Sequence, residues 1–346
     1  MNKARLLAIV ISIAVLLAVA NVAGALDPIP KESGFSGFIR PSVGYMKFKS
    51  NMVASFLNYD LSDKKADSLD DSPSSESNGL VLAPFSLEYT FASTRTQLFL
   101  GTDLSDLVRF DYSQQLGIKQ GVGNLGILQA GFLFSGIPAK VWKDPYVDDR
   151  NRKETDRNSS GLRLTWDRIF SSHLQLQYSY RKIDIDKEKS GEVMLGLPAN
   201  ERDLLKRDGD SHSGEVLYRF NLGNGHILAP GFGYTKDNRD GDAMTSDAYN
   251  FQLTYAYFGD PISFSANALI GQADYDERNP IYRKTQEDDI YGLQGAVYYK
   301  NPWDWRLFGS NPMNFFVGMA WARSNANIDF YDQEAFMATA GVFFKW

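Results

Sequence analysis

The sequence predicts an all-β protein: a transmembrane antiparallel up-and-down β-barrel of about fourteen strands, with twelve or sixteen compatible with the same pattern. Three observations predict it. First, the last ten residues alternate. Trp346, Phe344, Val342, Ala340, Ala338 and, one step further back, Phe336 are apolar, whereas Lys345, Phe343, Gly341, Thr339 and Met337 are mixed. Alternate side chains of a strand lie on opposite faces, so this segment has one greasy face and one tolerant face. Second, the same period recurs in segment after segment. Third, those segments are joined largely in turn by long polar stretches and by short turns, as expected of strands that rise and fall across a bilayer. Beyond residue 25 no apolar run approaches the length of a membrane helix. A strand ending on an aromatic would fray in water, but a membrane barrel must pair its last strand with its first to leave no edge.

The start of the chain supplies the route to a membrane. Lys3 and Arg5 precede an apolar run from Leu6 to Ala20, and Ala23-Gly24-Ala25 follows. These are the three parts of a secretory signal peptide, and the run is shorter than the roughly 20 apolar residues an anchor helix needs. Residues 1–25 are therefore expected to be a cleaved signal, and residues 26–346 one barrel domain with long extracellular loops. The chain has no Cys, so neither a disulfide framework nor a lipidated cysteine is available. Removal of Lys3 and Arg5 takes the formal charge from −6 to about −8, a sign that argues against nucleic acid as a partner.

The strands follow in order. Ile29-Pro30-Lys31-Glu32-Ser33-Gly34-Phe35-Ser36-Gly37-Phe38-Ile39 leads into the first, which runs to about Phe48 with Phe35, Ile39, Val43 and Tyr45 on one face. Pro41 predicts a bulge or kink there, because it lacks a ladder donor. Residues 49–78, acidic and Ser-rich, read as a solvated loop. Val81, Phe85, Leu87, Tyr89 and Phe91 mark the second strand; residues 97–101 begin the third; Val108 to Lys119 form the fourth and Leu125 to Phe134 the fifth. After a long loop at 135–158, Leu162, Leu164 and Trp166 mark the sixth, and Leu174, Leu176, Tyr178 and Tyr180 the seventh. Residues 184–212 read as polar loop. Val216, Tyr218 and Phe220 belong to the eighth strand, and Leu228, Phe232 and Tyr234 to the ninth. Tyr249, Phe251, Leu253, Tyr255 and Tyr257 alternate most cleanly, in the tenth. The eleventh holds Ile262 to Ile270, and after a charged loop at 274–288 the twelfth holds Tyr291 to Tyr299. Phe315 to Trp321 form the thirteenth, and the terminal segment is the fourteenth.

Two of these stretches carry a resemblance. The segment Ile29 to Ile39 resembles the amino-terminal signature of an uncharacterised family of bacterial exported proteins, a domain of unknown function associated with outer-membrane barrels. Phe344 and Trp346 resemble the terminal signal of bacterial outer-membrane barrel proteins. These resemblances imply an outer-membrane location and recognition of Trp346 by the barrel-assembly machinery. They imply no activity and no site residues. Outer-membrane lipids and lipopolysaccharide are the expected surroundings.

If the apolar face meets lipid, the other lines a lumen. That face carries Glu88, Arg109, Asp111, Lys119, Arg163, Asp167, Arg181, Glu215, Arg219 and Lys300. Turned toward lipid, an Arg or Lys near midplane would cost about 2–4 kcal/mol. Mixed charges around a water-filled passage suit a passive, porin-like channel for small polar solutes; a barrel whose charges cross-brace a blocked lumen, with loops for adhesion, lipid or partner binding, is the alternative. In the loop at 135–158, Trp142, Asp144 and Tyr146 are candidates for a constriction, and the apolar residues of 192–206 for a short helix over the mouth. Enzyme readings lack a constellation. His173 is followed two residues on by Gln175, and His226 by Leu228, so neither repeats the His-x-Ser face of a barrel phospholipase. A barrel protease would want two Asp and a His–Asp pair at the extracellular rim; Asp148-Asp149, Asp288-Asp289 and His212 with Asp210 offer the residue types, but no spacing assembles them, and adjacent acids in loops are usually solvated. No calcium-loop spacing, phosphate loop or zinc pattern appears, and no cofactor or metal ligand is expected.

Overall fold

The computed structural model describes residues 26, 28–57, 59–66, 68–103, 112–302, 306–307 and 311–346. They form one closed antiparallel barrel of fourteen strands. The first strand is broken into Gly34–Ile39 and Ser42–Lys49, and the second into Ser75–Leu82 and Phe85–Phe91. The others are Thr96–Asp103, Tyr112–Gly121, Ile127–Ile137, Glu154–Asp167, Leu174–Ile185, Gly209–Tyr218, His226–Arg239, Ser246–Phe258, Ile262–Asn279, Lys284–Lys300, Asn314–Ala326 and Gln333–Lys345. Each pairs with its sequence neighbours, and the last closes on the first from Lys49↔Glu334 through Ser42↔Gly341 to Phe38↔Lys345. Every strand therefore has two partners, which is what a spanning sheet requires in lipid.

The kink expected at Pro41 is present, and Pro84 makes its counterpart on the neighbouring strand. The two breaks lie side by side: Arg40 N–H donates to Pro84 O at 2.8 Å, and Val342 N–H to Pro41 O at 3.1 Å. The prolines thus accept ladder hydrogen bonds they cannot donate, and the sheet bends there without opening.

The outward face is the apolar face of the sequence pattern. Phe35, Val43, Val81, Leu116, Leu164, Leu293 and Val317 are all exposed. Aromatics collect toward both strand ends. Tyr234 and Tyr249 pack 5.0 Å apart near the outer end, and Tyr218–Phe220 at 4.8 Å and Tyr257–Phe264 at 5.7 Å near the inner end. Such amphipathic rings settle at the two membrane interfaces.

The inner wall is divided. Its third to eighth strands turn polar and charged side chains inward. Its twelfth to fourteenth, first and second strands turn inward Ala296, Phe316, Ala320, Ala322, Ala335, Met337, Met46, Phe48, Leu80 and Leu82, one continuous apolar cluster. Several strands rise beyond the membrane as a polar wall. The eleventh and twelfth run to Asn279 and from Lys284, where the sequence suggested a loop at 274–288. The cross-strand pairs Arg278↔Thr285 and Asn279↔Lys284 continue the ladder, but the outer side meets water and the inner side packs the polar Asn279, Gln286 and Asp288 against neighbouring loops, so nothing enforces apolar alternation. The ninth strand likewise reaches Arg239 and the sixth begins at Glu154. A short helix, Ala199–Asp203, does form within the apolar stretch 192–206.

Candidate functional site

Chain that the sequence reading placed in solvent packs against the inner wall at the outer mouth of the barrel. Within residues 49–78, Val53–Phe56 and Tyr59–Asp60 pair as a hairpin. Its residues Val53, Phe56, Leu57, Tyr59 and Leu61 join the apolar cluster of the inner wall. The expectation of a wholly solvated loop is thus corrected. The signal was present as the run Val53-Ala54-Ser55-Phe56-Leu57, too short to stand out between polar neighbours. Leu57 turns the hairpin with φ 51°, a conformation L-residues other than Gly, Asn and Asp seldom adopt.

The hairpin is moored to the loop after the fifth strand. Ala139–Trp142 pairs with Val53 and Ser55 on one side and with the foot of the sixth strand on the other. Trp142 Nε1 donates to Ser62 Oγ at 3.0 Å, and the Arg152 guanidinium lies 4.5 Å from the Trp142 ring centre. Arg152 also donates to Asn51 O, at 3.1 Å, and to Asp63 O. Asp144 accepts backbone N–H bonds from Tyr146, Gly191 and Val193 at 3.1, 3.0 and 2.8 Å. Tyr146 shares a hydroxyl hydrogen bond of 2.6 Å with Tyr331 and packs with Phe330, Leu205 and Met244. Trp142, Asp144 and Tyr146 are therefore brought together, all buried, as structural members of a cap over the mouth.

A salt bridge braces this cap. Arg207 Nε and Nη2 donate to the two carboxylate oxygens of Glu188 at 2.7 and 3.0 Å, and Nη2 also reaches Trp142 O at 2.6 Å. Burial alone would push the Glu188 carboxyl up. The Arg207 charge and the hydrogen bonds from Arg207 and Ser190 outweigh it and hold the group below the ordinary carboxylate value. A depressed folded-state value stabilises above the unfolded one and is lost as pH falls through the folded one. The cap is thus expected to loosen as pH falls below the ordinary Glu value of about 4.3. Amide exchange at Gly191 and Val193, corrected for its intrinsic pH dependence, should accelerate there in the natural chain. In Glu188→Gln it should be fast already at pH 7, and pH-independent protection in both chains would refute the brace.

Below the cap lies the charged sector. Glu88, Lys119, Arg163, Asp167, Arg181, Glu215 and Arg219 lie on the inner side of their strands, among hydrogen-bonding and oppositely charged side chains. Lys119 Nζ is 3.0 Å from Glu88 and lies 5.3 Å from the Phe99 ring centre. Arg219 donates to Asp167, which has no exposed surface, and to Gln175 at 3.1 Å. Arg163 Nε donates to Ser179 at 2.9 Å, Arg181 Nη1 to Ser159 at 2.8 Å, and Gln252 to Glu215 at 2.7 Å. Lys300 is a correction. It is exposed at the short-turn rim and donates to Asp260 at 3.0 Å, because it occupies the last rung of its strand, opposite Asn314, where the wall ends and an inward parity no longer means an enclosed position. Arg109 and Asp111 lie outside the described residues. At the same rim the opening segment of the chain is tied to two turns. Leu26 O, Pro30 O and Ser33 Oγ accept hydrogen bonds from Arg168, Arg95 and Ala92 N–H at 3.0, 3.1 and 3.0 Å, and Ile29 is buried.

The sequence reading also missed Arg40. Its guanidinium is on the inner wall, 5% exposed and 5.4 Å from the centre of the Phe316 ring. Position 40 shares the inward parity of Ser42 and Met46, which was the available signal.

Solved outer-membrane proteins align along most of this chain. A loop-deletion mutant of OmpT, an outer membrane protein of Vibrio cholerae, is 11% identical, covering 90% of this chain and 99% of its own, with a TM-score of 0.39. An anion-selective porin from Comamonas acidovorans is 9% identical over 91% and 100%, with a TM-score of 0.39. A TodX mutant, a monoaromatic hydrocarbon channel, is 10% identical over 91% and 90%, with a TM-score of 0.42. No curated protein matches significantly. The family model described as "Protein of unknown function (DUF2860)" matches residues 34–345, nearly the whole barrel, and the chain belongs to that family.

Proposed function

We propose that the protein is a passive outer-membrane channel for small solutes, closed in the conformation described. The observation that carries this reading is the inward charged sector. Buried ion pairs are often no more stabilising than apolar residues of similar volume. A barrel needing only rigidity has little cause to place Glu88, Lys119, Arg163, Asp167, Arg181, Glu215 and Arg219 on one inner wall. For a polar solute those groups supply a transverse field and replacement hydrogen bonds. Fourteen strands enclose more than the eight that side chains alone fill, so the inserted hairpin and cap act as a gate rather than as the only way to build a core.

The test is planar-bilayer recording of the refolded chain 26–346, with ion selectivity measured under a salt gradient. Discrete conductance steps are expected. In Arg163→Gln their size should change and selectivity should move toward cations, since a fixed inner cation is lost. A heat-modifiable, correctly folded barrel that gives no steps would overturn the channel and favour the reading in which the packed outer cap presents loops to a partner.

A further inference from the structure

We infer that the channel's solute is a small amphipathic anion, with its acid group held by Arg40 and its apolar body lying along the inner wall beneath the hairpin. This deepens the channel reading and rests on it for transport, though the binding it requires is measurable separately.

Three observations converge. Arg40 is more than nine-tenths buried on the inner wall. Among the described residues it faces the Tyr298 hydroxyl and the Phe316 ring, and no carboxylate pairs with it. An isolated buried cation is costly unless an anion or hydrogen-bond acceptors compensate it. In the charged sector Lys119 and Arg219 each have a carboxylate within reach, whereas Arg40 has a phenol hydroxyl.

The register supplies the second observation. Next above Arg40, one cross-strand row runs Tyr298, Phe316, Gly341, Ser42, Leu82. The row above it runs Ala296, Gly318, Thr339, Gly44, Leu80, and the next holds Ala320, Met337 and Met46. The middle row is almost all small residues. It forms a shallow trough between aromatic rings below and methionines above, flanked by Leu80 and Leu82. From Arg40 to Met46 the wall rises about 20 Å at roughly 3.3 Å per residue, a length that would take a short alkyl chain or an aromatic ring in place of the hairpin.

The third observation is the present occupant of that wall. The hairpin offers Val53, Phe56, Leu57 and Leu61 to the same cluster, and its charge-assisted moorings go to Arg152 in the outer loop. Its wall-side polar contacts are few, such as Tyr59 OH with Val81 N–H at 3.2 Å. An apolar body brought to Arg40 would compete for the surface the hairpin covers and would not need to break the cap.

The chain has no cysteine, so a single thiol reports the hairpin. Ala54 is 1% exposed, and Ala54→Cys adds little volume. The reaction of its thiol with a water-soluble maleimide is followed in the refolded barrel with hexane-1-sulfonate or gluconate at equal ionic strength. Both are monoanions, but only the first has an apolar body. Hexane-1-sulfonate is expected to accelerate labelling roughly tenfold, the scale of a modest population shift, and gluconate to leave it unchanged. Adding Arg40→Gln should abolish the acceleration and Arg40→Lys should retain part of it. If Arg40→Gln fails to refold, the Lys variant and the gluconate comparison still decide. Equal acceleration by both anions, no acceleration by either, or an effect that survives Arg40→Gln overturns the inference. Acceleration in a barrel without conductance would keep the binding site and remove the channel. Conductance without acceleration would do the reverse.

Discussion

Asp167→Ala is expected to lower the unfolding free energy of the barrel by about 3–5 kcal/mol, the range for removing one partner of a buried ion pair. Asp167 has no exposed surface and accepts from Arg219, itself 7% exposed; Arg168 approaches its other oxygen at 3.6 Å. Alanine at 167 would leave the Arg219 guanidinium buried with Gln175 as its hydrogen-bonding side chain. The same position can be made apolar on both sides. Asp167→Leu with Arg219→Met removes both charges at similar volume and should fall within about 1 kcal/mol of the natural chain or exceed it, since the desolvation cost of the pair disappears with its attraction. Urea unfolding and refolding in lipid vesicles reads both variants. A single-variant cost below about 1 kcal/mol, the scale of an exposed ion pair, would show that water screens the pair and that this part of the lumen is wet in the resting barrel.

The contrast between the single and the double variant also explains what was legible in the sequence. The lipid-facing side of each strand is read by one solvent and must be apolar, so Phe35, Val43, Leu164, Leu253 and Val317 announced both the strand and its outward direction. The position of most strands followed from that face, and their count of about fourteen from the face together with the alternation of long and short connections. The inward face is read by whatever fills the barrel, and two fillings coexist here. Charged residues such as Arg163 and Asp167 identified their strands as lumen-lining because lipid would reject them. On the twelfth to fourteenth strands the inward positions are Ala296, Gly318, Ala320 and Thr339, which lipid, water or a packed hairpin would all accept. The apolar sector was therefore invisible until register placed those residues in rows beside Met46 and Phe48. Lys300 failed for a related reason. Alternation gives the side of a strand but not the height at which the barrel ends. Trp142, Asp144 and Tyr146 were found as an unusual cluster in a polar loop, and their contacts come from residues as distant as Tyr331 and Ser62, which no local pattern connects.

Replacing residues 52–61 with a short Gly-Ser linker is expected to raise the time-averaged conductance roughly tenfold or more, since it removes the closed arrangement itself and not one contact within it. The barrel should survive the change. The first and second strands pair with each other from Ser42↔Leu82 to Lys49↔Ser75 without help from the hairpin, and loop length between paired strands costs little. What is lost is the contact of Val53, Phe56, Leu57 and Leu61 with the inner wall and the pairing of Val53 and Ser55 with Val141 and Lys140. The uncovered wall is apolar near Met46 and Phe48, so the open state should conduct with an occupied, water-containing charged sector beside a poorly wetted one. Ion selectivity should therefore still depend on Arg163. Trp142→Phe, which removes the indole donor to Ser62 and keeps most of the ring packing against Arg152, should give more frequent openings of unchanged size. If the deletion variant refolds, remains heat-modifiable and conducts no more than the natural chain, the hairpin is packing and the closure lies deeper, among the buried pairs around Asp167.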